Sequence, residues 1–119
     1  MSCLFNSLSK RIENLNGDQL RTIITDYLKN NPKLFHDDQM DLSQVLGGHE
    51  NMNQYIQNME QRSTWGGAIE IKAFCEIFHA IVKIKVLSTS KWIEFVPNQT
   101  EKGAPIFLLS WDGSHYEAL

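Results

Sequence analysis

The chain has 119 residues, of which 42% are hydrophobic and 21% are charged. That length provides one hydrophobic core of useful size and is too short for two domains. The 11 basic and 14 acidic side chains give a formal net charge of −3, whereas a nucleic-acid-binding domain usually carries a basic patch and a high pI. We therefore predict a single domain, residues 1–119, that does not bind nucleic acid.

The sequence shows neither a membrane-spanning segment nor a secretory signal. No apolar run approaches the ~20 residues needed to span a bilayer, and the N-terminus lacks a charged start followed by a long apolar stretch. The two cysteines, Cys3 and Cys75, are too far apart and too few to form a disulfide framework. We expect free thiols in a reducing, intracellular setting, the cytoplasm with the nucleus as an alternative, and a monomer that does not bind membranes.

The first 32 residues of the chain are predicted to form two helices. Apolar residues recur at spacings of three and four over Phe5, Leu8, Ile12 and Leu15. Asn16-Gly17 should end this helix, and Asp18 is a suitable N-cap for the next one. Five apolar residues are expected to face inward from that second helix: Leu20, Ile23, Ile24, Tyr27 and Leu28. Asn30-Asn31-Pro32 should end it.

The sequence pattern in the middle of the chain predicts a loop and two more helices. Residues 36–48 are polar and weakly periodic, which indicates a loop with at most a short helix. Helical spacing returns at Met52, Tyr55, Ile56 and Met59. A turn at 65–67 then precedes a segment that is apolar over a wide arc, as expected of a central buried helix. Its apolar residues are Ile69, Ile71, Ala73, Phe74, Cys75, Ile77 and Phe78.

The sequence pattern in the last third of the chain predicts four strands. Val82, Ile84 and Val86 alternate with Lys83 and Lys85, which is typical of a half-buried strand with a solvated lysine face. Further strands are expected at residues 92–96, 106–111 and 115–119, and the third is apolar enough to be central. Helices followed by strands predict an α+β fold.

Two residues could supply thiol chemistry. Cys3 lies just ahead of the first helical positions, where the helix dipole and free backbone N–H groups stabilise a thiolate. His115 follows a glycine-containing turn, and Glu117 lies on the same side of the strand, where a carboxylate can orient an imidazole base. Taken alone, Cys3 is equally compatible with a small packing or terminal residue, and His115 and Glu117 with an exposed edge strand.

Other candidate sites are weaker. Cys75 lies among apolar helical residues and is predicted to be core. The remaining histidines have no partners at metal-ligand spacing, so we predict no metal site: His36, His49 and His79. No glycine-rich phosphate loop is present, and no cofactor is predicted.

Short motifs along nearly the whole chain resemble the OTU (ovarian tumour) family of cysteine proteases. Cys3-Leu4-Phe5-Asn6-Ser7 resembles the segment in which that family's nucleophile opens its first helix. The other matching pieces are Tyr27-Leu28-x3-Pro32, Tyr55-Ile56-x2-Met59, Thr64-Trp65-Gly66-Gly67-x2-Glu70-Ile71-x-Ala73 and Trp111-x-Gly113-x-His115-Tyr116. The order and spacing of these pieces, more than any single one, carry the resemblance.

The resemblance implies an OTU-like, papain-type fold with N-terminal helices packed on a small, mostly antiparallel C-terminal sheet. It implies a deubiquitinase, which hydrolyses the bond between the C-terminus of ubiquitin, or of a ubiquitin-like protein, and a substrate lysine without a cofactor. By position, Cys3 would be the nucleophile and His115 the base. Glu117 would orient His115 from a position where the family usually has Asp or Asn.

The same resemblance implies a narrow channel for the ubiquitin Gly-Gly tail. Its walls would be Trp65, Gly66, Gly67, Gly113 and Tyr116, because a wall without side chains admits an extended backbone. Trp65 is also compatible with a role as a core anchor.

The oxyanion loop departs from the family pattern. The family commonly has Asp-Gly-x-Cys, whereas here Met1 replaces the glycine, Ser2 takes the variable position and the aspartate has no counterpart. Ser2 and Cys3 would then supply the oxyanion donors, and we expect the N-terminal edge to be truncated. Loss of one donor typically costs about 10²–10³ in rate. A catalytically impaired ubiquitin-binding module is therefore the alternative function, and cleavage of the chain's own polyprotein is a third hypothesis.

Overall fold

The computed structural model describes residues 3–31, 52–61, 66–99 and 102–119. Within these ranges, helices come first and strands last, as predicted. The helices are α1 (Cys3–Ser9), α2 (Gly17–Asn30), α3 (Met52–Met59) and α4 (Ala68–Phe78). The strands are β1 (Ile81–Val86), β2 (Lys91–Phe95), β3 (Ile106–Trp111) and β4 (Tyr116–Ala118). The loop predicted at residues 36–48 lies outside the described residues.

The first helix is shorter than its apolar spacing predicted. Helix α1 ends at Ser9, whose carbonyl accepts a hydrogen bond from the Ile12 N–H at 3.0 Å. The chain then turns, and Asn14 adopts a φ of 61°, which no right-handed helix permits. Ile12 and Leu15 still pack partly against the core. Their apolar character therefore reflects burial under a turn, and the prediction of a helix through Leu15 was wrong.

Helix α2 begins at a different cap from the one predicted. The side chain of Asn16, not that of Asp18, accepts the Gln19 N–H at 2.8 Å, and the Gln19 side chain accepts the Asn16 N–H at 2.9 Å. This reciprocal capping box starts the helix two residues earlier. Ile23 was also assigned wrongly, since it is 37% exposed. The predicted end at Asn30 is confirmed.

The four strands form one mixed sheet in the order β2-β1-β3-β4. The outer pairings β1–β2 and β3–β4 are antiparallel, which confirms the mostly antiparallel prediction. The central pairing, β1 with β3, is parallel, with Ile84 opposite Leu109. Strand β3 is interior, as its apolar sequence predicted, and it places β4 at the sheet edge.

The core lies between the helices and one face of the sheet. Helix α4 contributes Ile71, Ala73, Phe74 and Cys75 to it, which confirms the predicted central helix and the core assignment of Cys75. The Phe74 ring meets the Phe107 ring of β3 edge-on at 5.0 Å, so α4 is fixed against the middle of the sheet. Among the described helices, none has the length and apolar character required to cross a membrane.

Candidate active site

Cys3 is the first residue of α1 and is partly exposed. The next two residues, Leu4 and Phe5, are at most 1% exposed and anchor the helix in the core. One turn further on, the Ser7 hydroxyl donates a hydrogen bond to the Tyr116 carbonyl of β4 at 3.0 Å. The helix that carries the thiol is thus bonded directly to the edge strand of the sheet.

His115 and Glu117 flank that same bonded residue. The His115 Nε2 and Glu117 Oε1 atoms are 3.8 Å apart, and the two side chains are 53% and 71% exposed. This distance suits an ion pair with protonated histidine but exceeds that of a hydrogen bond. The structure therefore brings the two predicted residues together at one rim of the sheet without an orienting hydrogen bond.

The loop before His115 is built around Asp112. The Asp112 Oδ1 atom accepts the His115 N–H at 2.7 Å and the Ser114 N–H at 2.9 Å. These two hydrogen bonds lower the pKa of the Asp112 carboxyl, since they favour its charged form. Gly113, which lies between Asp112 and Ser114, has a φ of 106°, a conformation that residues other than glycine rarely adopt. The backbone of His115 is thus held by a hydrogen bond to the Asp112 carboxylate and by the turn that Gly113 allows.

Tyr116 connects the histidine loop to the helix that begins at Cys3. Its ring is half-buried and stacks on Trp111 at a centroid distance of 6.2 Å. Burial raises the pKa of the Tyr116 phenol, and the negative charges that Cys3 and Glu70 can carry raise it further. Tyr116 therefore lies within electrostatic reach of both the thiol and the Glu70 carboxyl.

The glycine pair, Gly66 and Gly67, lies against the thiol helix. A β-carbon at Gly66 would come within 2.8 Å of Leu4 Cδ2 and 3.1 Å of the Phe5 ring. A larger residue at this position would force the Leu4 side chain to shift. At Gly67 the same test meets nothing within 4 Å, so that side is open. The structure thus brings Gly66 to the residues that follow Cys3, and the neighbouring Gly67 keeps an open side.

Beneath the glycine pair is a buried polar cluster. Glu70 is 1% exposed; one carboxylate oxygen accepts the Gly67 N–H at 2.7 Å and the other accepts the Tyr55 hydroxyl. Burial raises the pKa of the Glu70 carboxyl, against the opposing effect of these hydrogen bonds and of Arg21. The Arg21 guanidinium lies 4.3 Å from the centre of the Phe5 ring and donates to the Met59 carbonyl at 2.7 Å.

Two predicted site residues, Ser2 and Trp65, lie outside the described residues, as do His36 and His49. Within the ranges that the structure describes, no group of three or more His, Cys, Asp or Glu side chains could hold a metal ion. Burial raises the pKa of the Cys75 thiol to about 11, so it is held as an unreactive thiol near neutral pH.

The sequence analysis did not predict a role at the site for three residues. Ser7 is one turn after Cys3, a spacing that places both on one helix face and could have suggested its contact. Asp112, before Gly-Ser, has the pattern of a turn whose carboxylate accepts nearby N–H groups. Glu70, three residues after Gly67, has the spacing of a helix-start carboxylate, but its burial has no sequence signal.

Helices lie on one face of a mixed sheet, and the helix that begins at Cys3 is hydrogen-bonded through Ser7 to the strand that follows His115. This arrangement defines a thiol-protease-like α+β class. The sequence model of the OTU-like cysteine proteases matches residues 2–116. The chain therefore belongs to the OTU family.

Named relatives agree with this assignment. The chain is 32% identical over 127 residues to the putative ubiquitin thioesterase 232R of invertebrate iridescent virus 3, covering 99% of this chain and 15% of that protein. It is 30% identical over 122 residues to the ubiquitin thioesterase OTU1 of Dictyostelium discoideum, covering 99% of this chain and 34% of that one. The chain thus spans about a third or less of these relatives' lengths. An OTU domain solved in complex with ubiquitin superposes with a TM-score of 0.76 at 24% identity, covering 98% of this chain and 62% of that one.

Proposed function

We propose that this domain is a deubiquitinase that hydrolyses (iso)peptide bonds at the C-terminus of ubiquitin or a ubiquitin-like modifier. The observation that carries the proposal is the hydrogen bond from Ser7 to Tyr116. It fixes the helix that begins at Cys3 against the strand in which Tyr116 lies between His115 and Glu117. Family membership and the names of the relatives support the same function.

The chemistry follows from the two groups. His115 takes the thiol proton of Cys3, and the thiolate attacks the carbonyl carbon of the terminal glycine of the modifier. As the tetrahedral intermediate collapses, the C–N bond breaks and the lysine amine leaves with the proton from His115. Water, deprotonated by His115, then hydrolyses the thioester and releases Cys3.

Glu117 orients the imidazole in this proposal. Its carboxylate lies 3.8 Å from the His115 ring, and it can close to hydrogen-bond distance because both side chains are exposed. Catalytic hydrogen bonds are often long in free enzymes and shorten when substrate binds. The positive charge that develops on His115 during proton transfer favours that approach.

The tail of the modifier would lie between the glycine pair on one side and Gly113 with Tyr116 on the other. The open side of Gly67 leaves space for an extended backbone. Trp65 is assigned to the same channel, and Ser2 with the backbone N–H of Cys3 to the oxyanion hole, on the family resemblance.

We place the domain inside the cell, in the cytoplasm with the nucleus as an alternative. The support is its two free cysteines, which suit a reducing compartment. Its partners in this proposal are the modifier and the proteins that carry it, and no cofactor takes part.

A ubiquitin-binding module without turnover is the alternative. The observation in its favour is the 3.8 Å separation of His115 and Glu117, which is too long for a hydrogen bond that would orient the imidazole. The two functions differ in one respect: both bind ubiquitin, and only the enzyme releases a product.

Covalent capture separates them. Ubiquitin with a thiol-reactive group at its C-terminus is incubated with the protein, and the adduct is mapped by mass spectrometry. We expect a single adduct on Cys3 that is lost in His115→Ala. Cys75 is the internal control, because its buried thiol should remain unmodified until the protein unfolds.

A folded protein that binds ubiquitin by calorimetry but forms no adduct would establish the binding module. A folded protein that forms no adduct and shows no binding would overturn both functions. An adduct that persists in Cys3→Ala would move the nucleophile away from Cys3.

A further inference from the structure

We propose that Glu70 is a positioning residue that sets the glycine pair in place for the C-terminal tail of the modifier. The inference rests on the proposed function, since it assigns a role at the same site. Glu70 itself is buried and would not touch the reacting atoms. It would act through the backbone of Gly67.

The two oxygens of Glu70 are held by different parts of the fold. Oε1 accepts the Gly67 N–H at 2.7 Å, and Oε2 accepts the hydroxyl of Tyr55 on α3. An exposed glutamate would be sufficient to cap the first turn of α4. This carboxylate is 1% exposed, and burial of a charged group is costly unless it is paired and hydrogen-bonded. Its full burial therefore points to a role beyond capping.

Arg21 extends the cluster to the thiol helix. Its positive charge opposes the effect of burial on Glu70, and its guanidinium lies 4.3 Å from the centre of the Phe5 ring on α1. Its hydrogen bond to the Met59 carbonyl fixes it to the end of α3. The cluster consequently reaches the second residue after Cys3 through Arg21.

The glycine pair is placed from two sides. Gly66 is packed against Leu4 and Phe5, which sets how close the segment lies to α1. The Gly67 N–H points to Glu70, and the Gly67 carbonyl accepts the Ile71 N–H at 3.0 Å. The tail of the modifier would pass along the open side of Gly67. The direction in which that open side faces depends on the hydrogen bond from the Gly67 N–H to Glu70.

The positioning role of Glu70 requires the length of its side chain more than its negative charge. Aspartate keeps the charge but is one methylene shorter, so it cannot span from Tyr55 to Gly67. Glutamine keeps the length and an acceptor oxygen for the Gly67 N–H, while its amide can donate to the Tyr55 oxygen. Glu70→Asp and Glu70→Gln are therefore matched variants that separate the two properties.

The test is steady-state hydrolysis of ubiquitin carrying a fluorogenic amide at its C-terminus. We expect Glu70→Asp to raise KM about tenfold with kcat within about twofold, since one hydrogen bond to a charged group is lost from the binding wall. We expect Glu70→Gln to stay within about threefold of the parent KM even if its stability falls. Alkylation of Cys3 by iodoacetamide should proceed at the parent rate in both folded variants.

A purely structural role gives a different pattern. Partial unfolding lowers the active fraction and thus the apparent kcat, but it leaves KM unchanged. An unchanged KM in Glu70→Asp, with an active parent protein, overturns the inference and leaves the proposed function intact. An equal rise of KM in both variants also overturns it, because a disturbance common to both substitutions, and not the loss of reach, would then be responsible.

Two further measurements keep the test decisive. If Glu70→Asp does not fold, Tyr55→Phe replaces it, because that variant frees the second carboxylate oxygen; a KM equal to the parent value then overturns the inference. If the parent protein shows no turnover, the dissociation constant of the Cys3→Ala protein for ubiquitin replaces KM. Absence of both turnover and binding in the parent overturns the proposed function and, with it, this inference.

Discussion

The two sides of the candidate site are held in opposite ways. The thiol side, α1 with the glycine pair, is fixed by close packing: Leu4 and Phe5 are buried, and Gly66 lies in contact with both. The imidazole side is fixed by hydrogen bonds at the surface, with Asp112 holding the backbone of an exposed His115. Changes at the packed residues of the thiol side should therefore act through folding, whereas changes at the exposed His115 side chain should act through activity alone.

The largest effect is expected on the imidazole side. His115→Ala should lower kcat for the fluorogenic ubiquitin substrate by about 10²–10⁴, the usual contribution of a general acid–base group. The melting temperature should not change, because the His115 side chain is 53% exposed. The matched control is His79→Asn at an exposed helix end with φ of 50°, a conformation that asparagine tolerates. Equal loss of activity in both variants would contradict the assignment of the base.

The next effect is expected on the thiol side. Gly66→Ala should lower the free energy of unfolding by about 1–3 kcal/mol, because the added methyl group overlaps Leu4 and Phe5. Urea denaturation measures it. Gly67→Ala is the control, since its methyl group meets nothing within 4 Å. We expect that variant to keep its stability and to raise KM, because the methyl group would enter the proposed channel; an unchanged KM would place the tail elsewhere.

A smaller effect is expected where the two sides join. Ser7→Ala removes the hydrogen bond to the Tyr116 carbonyl and should cost about 1 kcal/mol of unfolding free energy. It should also lower kcat, because the thiol helix is no longer bonded to the strand beside His115. Ser9→Ala is the control, since the Ser9 hydroxyl bonds only locally, to the Asn6 carbonyl. If both variants retain the parent kcat, the Ser7 bond does not position the site.

The smallest effect is an acid-dependent loosening of the imidazole side. Because the pKa of Asp112 is lowered in the folded state, its contribution is present above the ordinary value of 3.8 and is lost as pH falls through the lower, folded value. The Ser114 and His115 amide resonances should therefore shift in NMR titrations with a midpoint below 3.8. Asp112→Asn should abolish that shift. A midpoint at or above the ordinary value would mean that the loop is not held by this charge.

Much of the fold could be predicted because apolar periodicity reports burial directly. The alternation around Ile84 and the wide apolar arc around Phe74 gave a strand and a central helix, and both are confirmed. The same signal failed at Ile12 and Leu15, since residues under a turn are buried without being helical. The parallel pairing of β1 with β3 leaves no local trace in either strand, because parallel and antiparallel partners both favour apolar residues.

The candidate site was less accessible from sequence than the fold. Cys3, His115 and Glu117 were predicted from a helix start, a strand end and the family resemblance. The contact between α1 and β4 that joins their elements depends on a strand order that spacing does not report. Asp18 was preferred over Asn16 as a cap because both residue types suit the position, and only the reciprocal bond with Gln19 decides between them. Glu70 shows the remaining limit: its spacing is that of a surface cap, and only tertiary packing buries it.

The hydrogen bond from Ser7 to Tyr116 joins residues 109 positions apart. During biosynthesis the thiol emerges first and the imidazole among the last residues of this stretch, with a delay of roughly 5–20 seconds at ordinary translation rates. Throughout that interval the nascent chain would have the proposed nucleophile without its proposed base. Under the proposed function, the domain would therefore act on ubiquitin only after the edge strand has been made and added to the sheet.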